Sequence, residues 1–478
     1  MGLAASFAKG GAMTDFASLL AADRGQKANP VHLVDKDSFA DWVKTRPAED
    51  RALLEANGFD GKTGYSAVIL PRSGKEFEVV SAVADAKSLS PWCLAKLPEL
   101  LPQGHYRLAD GAPGKSALGW LLAQHRFDSF RSKPEEPERG PRVLVTGEAA
   151  QIDPTIRLAE ATALVRDLVN IPALDLGPAE LEKAVRDRLA NVNAEIRVTS
   201  GDELETGYPL IAAVGRAASP DRAPRLIEAE WGNPDHPRIA IVGKGVCFDS
   251  GGLDIKSGAG MRIMKKDMGG AAHALALAWL IASARIPVRV HLLIPAVENA
   301  VSGNAIRPGD IVRSRKGLQV EIDNTDAEGR LILADALARA AEADPELIVD
   351  FATLTGAARV ALGPDLPALF VSDDDLAKGI EQSGREVDDP VWRMPLWDPY
   401  DEMLKSDIAD LADASSSSMA GAVVAAMFMK RFVPESGKWA HLDTFAWREA
   451  AKPGRPKGGE ALGLRAVYAE LKDRFTGS

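Results

Sequence analysis

Cysteine is scarce. Cys93 and Cys247 are the only two in 478 residues, so no disulfide framework is available, both read as plain buried thiols, and a reducing, cytoplasmic compartment fits best. Positive charge is in deficit: the formal net charge of −11 argues against a general affinity for nucleic acid or an anionic membrane. No apolar run approaches the ~20 residues that span a bilayer. The opening stretch MGLAASFAKGGAM lacks the charged start and continuous apolar core of a signal peptide. It does fit a loose myristoylation pattern through Gly2 and Ser6, and Met13 is an equally good start. None of the seven histidines falls in a metal-ligand spacing, and neither H-E-x-x-H nor a G-x-S-x-G elbow occurs.

What is present is an ordinary globular composition, 46% hydrophobic and 26% charged, in a chain long enough for two domains. Up to about residue 140 the pattern is mixed: YSAVILP and, just beyond, RVLVTGE read as strands, and SALGWLLAQHRF as a helix. RSKPEEPERGP, from Arg131 to Pro141, reads as an exposed loop. A boundary near residue 150 follows, giving a smaller α/β domain over 1–150 and a larger one over 151–478. In the larger domain the helical TIRLAEATALVRDLVNIP is followed by RIAIVG, GGAAHALALAWLIASA, VRVHLLIPAV, RLILADALARAAEA and LIVDFATL. β-Branched runs alternating with helical patterns predict a mixed, largely parallel sheet covered by helices. In such sheets functional groups gather at the carboxyl ends of the strands.

Two segments stand at that edge. In NTDAEGRL, Asp326 and Glu328 lie two residues apart and just before Arg330; in an extended backbone both carboxylates point the same way, and their repulsion has to be offset by water, by Arg330 or by a bound cation. In KGVCFDSGGLDIKSGAGMRIMKKDMGG, Lys244 follows a strand, Asp249 sits in a glycine-rich loop, Lys256 comes next and Asp267 opens a helix. Singly, Asp267 reads equally as a cap, Asp249 as a turn former and the lysines as solvated. Together, four carboxylates with Lys244, Lys256 and Arg330 suit two hard or borderline divalent cations. The charges balance if Lys244 is neutral, and a lysine becomes a ligand only when deprotonated.

The stretches VGKGVCFDSGGLDIK, MKKDMGGAA and NTDAEGRL resemble the signature segments of the leucyl (cytosol) aminopeptidase family, two-metal exopeptidases. The likeness runs from about residue 155 to the C-terminus through LVNIPALDLGP, ENAVSGNAIRPGD, ATLTGA and WAHLDTFAW. It implies that 151–478 is the catalytic domain and that Asp249 and Glu328 contact both metals. Asp326 would complete one site through its carboxylate and carbonyl, Lys244 and Asp267 the other. Lys256 and Arg330 would be the catalytic cations, with bicarbonate on Arg330. Met264, Thr353 and Gly356 would line a leucine-preferring first-residue pocket, although Met264 also reads as core. The implied metals are zinc or manganese, with magnesium or cobalt as alternatives. The implied reaction is attack of a metal-bridged water or hydroxide on the first peptide bond of peptides with a free N-terminus, in a homo-hexamer. Two departures stand out: Ser257 occupies the position after Lys256 where the family has proline, and 1–150 offers no motif that can be matched.

The rival readings are weaker. ADGAPGKS (Ala109 to Ser116) and ANGFDGKT (Ala56 to Thr63) resemble relaxed phosphate-binding loops, yet neither pattern follows a buried strand. A non-catalytic, DNA-binding or structural hexamer of the same family is the alternative class; the acidic balance and the intact set of seven charged positions weigh against it. The basic KPGRPKGGEALG, from Lys452 to Gly463, reads as a solvated surface loop.

Overall fold

The computed structural model describes residues 14–62, 64–133 and 140–477. Gly2, Ser6, Met13, Thr63 and the middle of the 131–141 loop lie outside the described residues. Among the described residues no helix is long and apolar enough to cross a membrane. The chain forms two compact units, 14–163 with 450–456, and 164–449 with 457–477; the division falls inside the helix Ala149–Asn170.

The first unit is built on six strands. In spatial order they are Leu20–Ala22, Arg142–Thr146, Gly104–Leu108, Asn29–Val34, Phe77–Ala82 and Ala67–Pro71, with only the last antiparallel to its neighbour. Its core gathers Phe16, Tyr106 and Trp120. The expected strands YSAVILP and RVLVTGE form. The SALGWLLAQHRF helix is shorter than its pattern, covering Ala117–Leu122. One expectation needs correction: ADGAPGKS does follow a strand, Gly104–Leu108, in the middle of the sheet. It is still no phosphate cradle, because the Gly114 N–H donates to the carboxylate of Glu148 at 2.9 Å, an anion already seated where a phosphate would be. ANGFDGKT follows a helix, Ala48–Ala56.

The second unit holds a nine-stranded sheet whose centre is parallel. Lys438–Asp443, Leu347–Ala352, Arg238–Gly243 and Arg289–Asn299 run side by side in one direction, and antiparallel strands flank them on both sides. These strands read as continuous apolar runs because both faces are covered. On one face lies the helix Gly269–Ala284, whose residues 269–282 are all buried; its His273 ring stacks on Phe351 at 5.5 Å. Alternate residues point the other way, so Ala240, Val242, Ile348 and Ala352 join Leu331, Leu333 and Leu337 of the helix Glu328–Ala341 in one core. A buried leucine or isoleucine contributes about 1.5–3 kcal/mol, so these two helices fix the sheet between them.

The basic loop is not solvated throughout. Residues 458–463 are buried, and Gly459 presses so closely on Arg166 that a Cβ would lie 2.5 Å from that residue's carbonyl oxygen. Within it Glu460, 2% exposed, receives Arg166 Nε at 2.9 Å and Arg448 Nε at 3.2 Å. The paired charge overrides the loop-like composition. Residues 452–455 behave differently: Arg455 lies over the Trp92 ring at 4.3 Å, in the first unit.

Candidate metal centre

Every sequence-predicted site residue lines one cavity of about 230 Å³: Lys244, Asp249, Lys256, Met264, Asp267, Asp326, Glu328, Arg330, Thr353 and Gly356. The parallel strands place them. Arg238–Gly243 and Gly245–Asp249 are one run broken at Lys244, both parts pairing with Arg289–Asn299. The break sits where Pro295, having no N–H, faces the run between its two paired segments. The Lys244 backbone turns instead to Phe351, whose carbonyl its N–H reaches at 3.0 Å, and to the N–H of Ala271 at 2.8 Å. Thr353 follows the end of Leu347–Ala352.

Asp249 ends its strand with Oδ1 accepting from Gly251 N at 2.8 Å and Asn299 Nδ2 at 2.9 Å, which leaves Oδ2 toward Lys256 Nζ at 2.8 Å. Lys256 arrives on a loop laced to the NTDAEGRL segment: Asp254 N donates to Thr325 Oγ1 and Thr325 N to Asp254 Oδ2, both at 2.8 Å. Its ammonium therefore also meets Asp326. Ser257, where proline was expected, accepts the Gly260 N–H at 3.2 Å and caps the turn Gly258–Met261; a cap replaces ring rigidity.

Asp326 and Glu328 are brought together by a turn rather than by an extended pleat. Asn324 is extended, but its side chain accepts the Asp326 N–H at 2.8 Å and starts a tight turn over Thr325–Ala327, so Glu328 becomes the first residue of its helix. The expected proximity of the two carboxylates is present, on a capped turn instead of an extended run. Asp249, Asp326 and Glu328 each offer a carboxylate oxygen, all within 4.8 Å of one another, a spread compatible with a shared cation.

Asp267 stands across Lys244. Lys244 Nζ lies 2.7 Å from Asp267 Oδ2 and 2.8 Å from Glu328 Oε1, an ion-pair contact with each carboxylate. Glu328 Oε2, by contrast, is buried with no hydrogen-bond donor. Thr353 Oγ1 donates to Asp267 Oδ1 at 2.8 Å and so aims that carboxylate. Gly329 is required here, since a Cβ would stand 2.6 Å from Lys244 Nζ.

Charge follows geometry. Burial, then the charge of Asp249, pushes the Glu328 carboxyl up to about 8, and the same two causes raise Asp326. Burial opposes ionisation of Asp267, but Lys244 and Lys266 outweigh it and hold the group below the usual range. Burial also disfavours charge on Lys244, yet Asp267, Glu328 and Asp249 outweigh it and raise the amine. The neutral Lys244 expected of a ligand is thus not what this carboxylate cluster favours; only added positive charge reverses that field. Arg330 donates from Nη1 to the Asp413 carbonyl at 2.6 Å and keeps Nε buried without a partner.

Sequence reasoning gave no role to Asn299, Asp443, Lys266 or Arg359. Asn299 and Asp443 each end an apolar strand on a polar residue, a signal that could have been read. Asp443 accepts Leu354 N at 3.0 Å and Thr355 Oγ1 at 2.6 Å, shaping the loop that carries Thr353 and Gly356. Lys266 and Arg359 line the same cavity.

Residues 163–468 match the family model described as cytosol aminopeptidase family, catalytic domain. Residues 29–139, where no motif was legible, match the M17 aminopeptidase N-terminal domain. A probable cytosol aminopeptidase of Geobacter sp. (strain M21) is 40% identical over 376 residues, 74% of each chain. The crystal structure of a cytosol aminopeptidase from Coxiella burnetii superposes with a TM-score of 0.90 at 43% identity, covering 95% of this chain and 99% of that one. The bottromycin maturation enzyme BotP, solved in complex with Mn, gives 0.83 at 30% identity over 94% of this chain and 100% of its own.

Proposed function

The chain belongs to the cytosol aminopeptidase family, metal-dependent hydrolases of peptides, and we propose that two divalent ions held by Lys244, Asp249, Asp267, Asp326 and Glu328 carry its reaction. The observation that carries this reading is the convergence of Asp249, Asp326 and Glu328, whose carboxylate oxygens lie within 4.8 Å of one another, with burial of polar atoms such as Glu328 Oε2 that no donor satisfies. Such atoms cost about 1–3 kcal/mol each, more when charged, and a hard dication satisfies them. Asp249, Glu328, Asp326, Lys244 and Asp267 would hold the ions between them, Asp326 from one end of the cavity and Lys244 with Asp267 from the other. Zinc or manganese is the assigned metal, with magnesium or cobalt as substitutes, since an oxygen-rich set with one amine discriminates poorly. When bound, the ions supply Lewis acidity to the scissile carbonyl and to the attacking water.

The chain's own groups do the rest. Lys256 reaches into the cavity from a braced loop and donates to the oxyanion as it forms, a contribution of roughly 3 kcal/mol. Arg330, with an unpartnered Nε, would hold a bicarbonate, which would supply a proton carrier beside the leaving amine. The Asp267 end takes the free α-amine, so an acylated N-terminus leaves polar groups unpaired. Met264, Thr353 and Gly356 form the first-residue pocket, where the adaptable Met264 suits a leucine-like side chain. A cytoplasmic location is supported by the name of its relatives and by two buried free thiols; the homo-hexamer rests on the family resemblance alone.

Leucine p-nitroanilide and its N-acetylated form, assayed with and without chelator and with Mn²⁺ or Zn²⁺ restored, test this. Release from the free amine alone, lost on stripping and regained with metal, is expected. Cleavage of the acetylated substrate overturns the exopeptidase assignment, and activity after complete stripping overturns the metal mechanism. Duplex DNA binding without any release favours the non-catalytic alternative.

A further inference from the structure

The cavity carries more positive than negative side chains: five lysines and arginines line it against four carboxylates, in a protein whose net charge is −11. Most of those cations are engaged. Lys244, Lys256 and Lys266 face the carboxylates, and Arg330 donates to a carbonyl. Arg359 is different. Among the described residues no carboxylate stands at ion-pair distance from its guanidinium, which lies over the Phe445 ring at 4.7 Å. A guanidinium held over an aromatic face keeps its N–H groups free to donate.

Its place is specific. Arg359 is on the helix Gly356–Leu362, and a Cβ built on Gly356 would lie 3.7 Å from Arg359 Nη2. Lys266, 1% exposed, approaches the same Phe445 ring, with Nζ 5.8 Å from its centroid; Asp267 is its ion-pair partner at 3.1 Å. The pocket assigned above to the first residue thus has an apolar side, Met264, and a cationic side. A leucine side chain would satisfy only the first.

We propose that this pocket takes an acidic side chain, and that the enzyme releases N-terminal glutamate from peptides at least as efficiently as leucine. The inference rests on the first-residue pocket identified under the proposed function. The two methylenes of glutamate lie along Met264 as leucine's carbons would, while the carboxylate accepts from the Arg359 fork in a charge-assisted, bidentate contact. Lys266 adds positive field from the buried side of the ring. The reaction is the same peptide-bond hydrolysis; only the recognised side chain changes.

The test is kcat/KM for glutamyl- and leucyl-p-nitroanilide on the full chain with Mn²⁺, in the wild type and in Arg359→Leu, which keeps apolar contact with Phe445. A glutamyl-to-leucyl ratio of one or more is expected in the wild type. Arg359→Leu is expected to lower that ratio about tenfold or more, chiefly through KM for the glutamyl substrate. Because the ratio is taken on one preparation, loss of folded protein cancels. A wild-type ratio below one, or a ratio that Arg359→Leu does not lower, overturns the proposal while leaving the metal reading intact. Failure to release either residue, with metal present, overturns both.

Discussion

Asn299 and Asp249 end neighbouring parallel strands, and the amide of the first donates to Oδ1 of the second at 2.9 Å. The same amide nitrogen donates to the Thr325 carbonyl at 3.1 Å. An asparagine has two N–H donors, and both are spent here, one aiming a carboxylate and the other pinning the turn that delivers Asp326 and Glu328. Two ligand sources far apart in sequence are set against each other by one side chain.

Asn299→Ala is therefore expected to weaken Mn²⁺ binding about 10–100-fold, the usual effect of losing a group that orients a ligand. Calorimetric titration of metal into the stripped protein measures it. Unchanged affinity would show that Gly251 N alone is enough to hold Asp249.

Metal should also stabilise the fold. With metal at about 100 times its dissociation constant, binding to the native state alone adds about 2.7 kcal/mol, so Mn²⁺ is expected to raise the melting temperature of the stripped wild type. Glu328→Gln, which removes a carboxylate that a bound cation would draw into its charged form, should shrink that rise, read by scanning calorimetry. An equal rise in both proteins would place the bound metal elsewhere.

Glu460 supports stability away from the chemistry. Removing it by Glu460→Ala leaves Arg166, 1% exposed, without its carboxylate and Arg448 with only Asp365. Breaking a buried pair from one side costs about 3–5 kcal/mol, so the urea midpoint of this unit is expected to fall well below that of the wild type. A shift of under about 1 kcal/mol would mean that water replaces the carboxylate.

Acid should loosen the first unit. Burial acts to raise the Glu78 carboxyl, but Arg72, Arg46 and His32 outweigh it and bring it down to about 2. A depressed carboxyl contributes stability that is present above its unfolded value, near 4.5, and is lost as pH falls through the folded one. Because Glu78 keeps some exposure, about 1 kcal/mol is a fair size for the effect after screening. The melting-temperature advantage of wild type over Glu78→Gln should therefore narrow between pH 6 and pH 3. A constant gap would remove the ion-pair explanation.

The parallel centre of the large sheet was legible because strands covered on both faces leave continuous apolar runs, as RIAIVG and LIVDFATL do. The acidic positions were legible because NTDAEGRL and its companion segments are specific. The local backbone was not. Nothing in the composition of Asn324–Glu328 distinguishes a side-chain-capped turn from an extended run, and the deciding hydrogen bond is from Asp326 N to the Asn324 side chain. Residues 458–463 read as solvated because the partner that neutralises Glu460, Arg166, lies 294 positions away. Lys266 and Arg359 escaped notice for a similar reason: each looks like an ordinary surface cation until the fold turns both toward one ring.

Gly329 separates two kinds of success in a mutant library. Alanine there would suit a helix better than glycine, and the obstructed atoms belong to the Lys244 side chain, Cδ, Cε and Nζ, rather than to backbone, so Gly329→Ala would pass a screen that counts folded molecules. The same methyl group would lever the amine away from Asp267 and Glu328. Only a screen that counts product would register the loss.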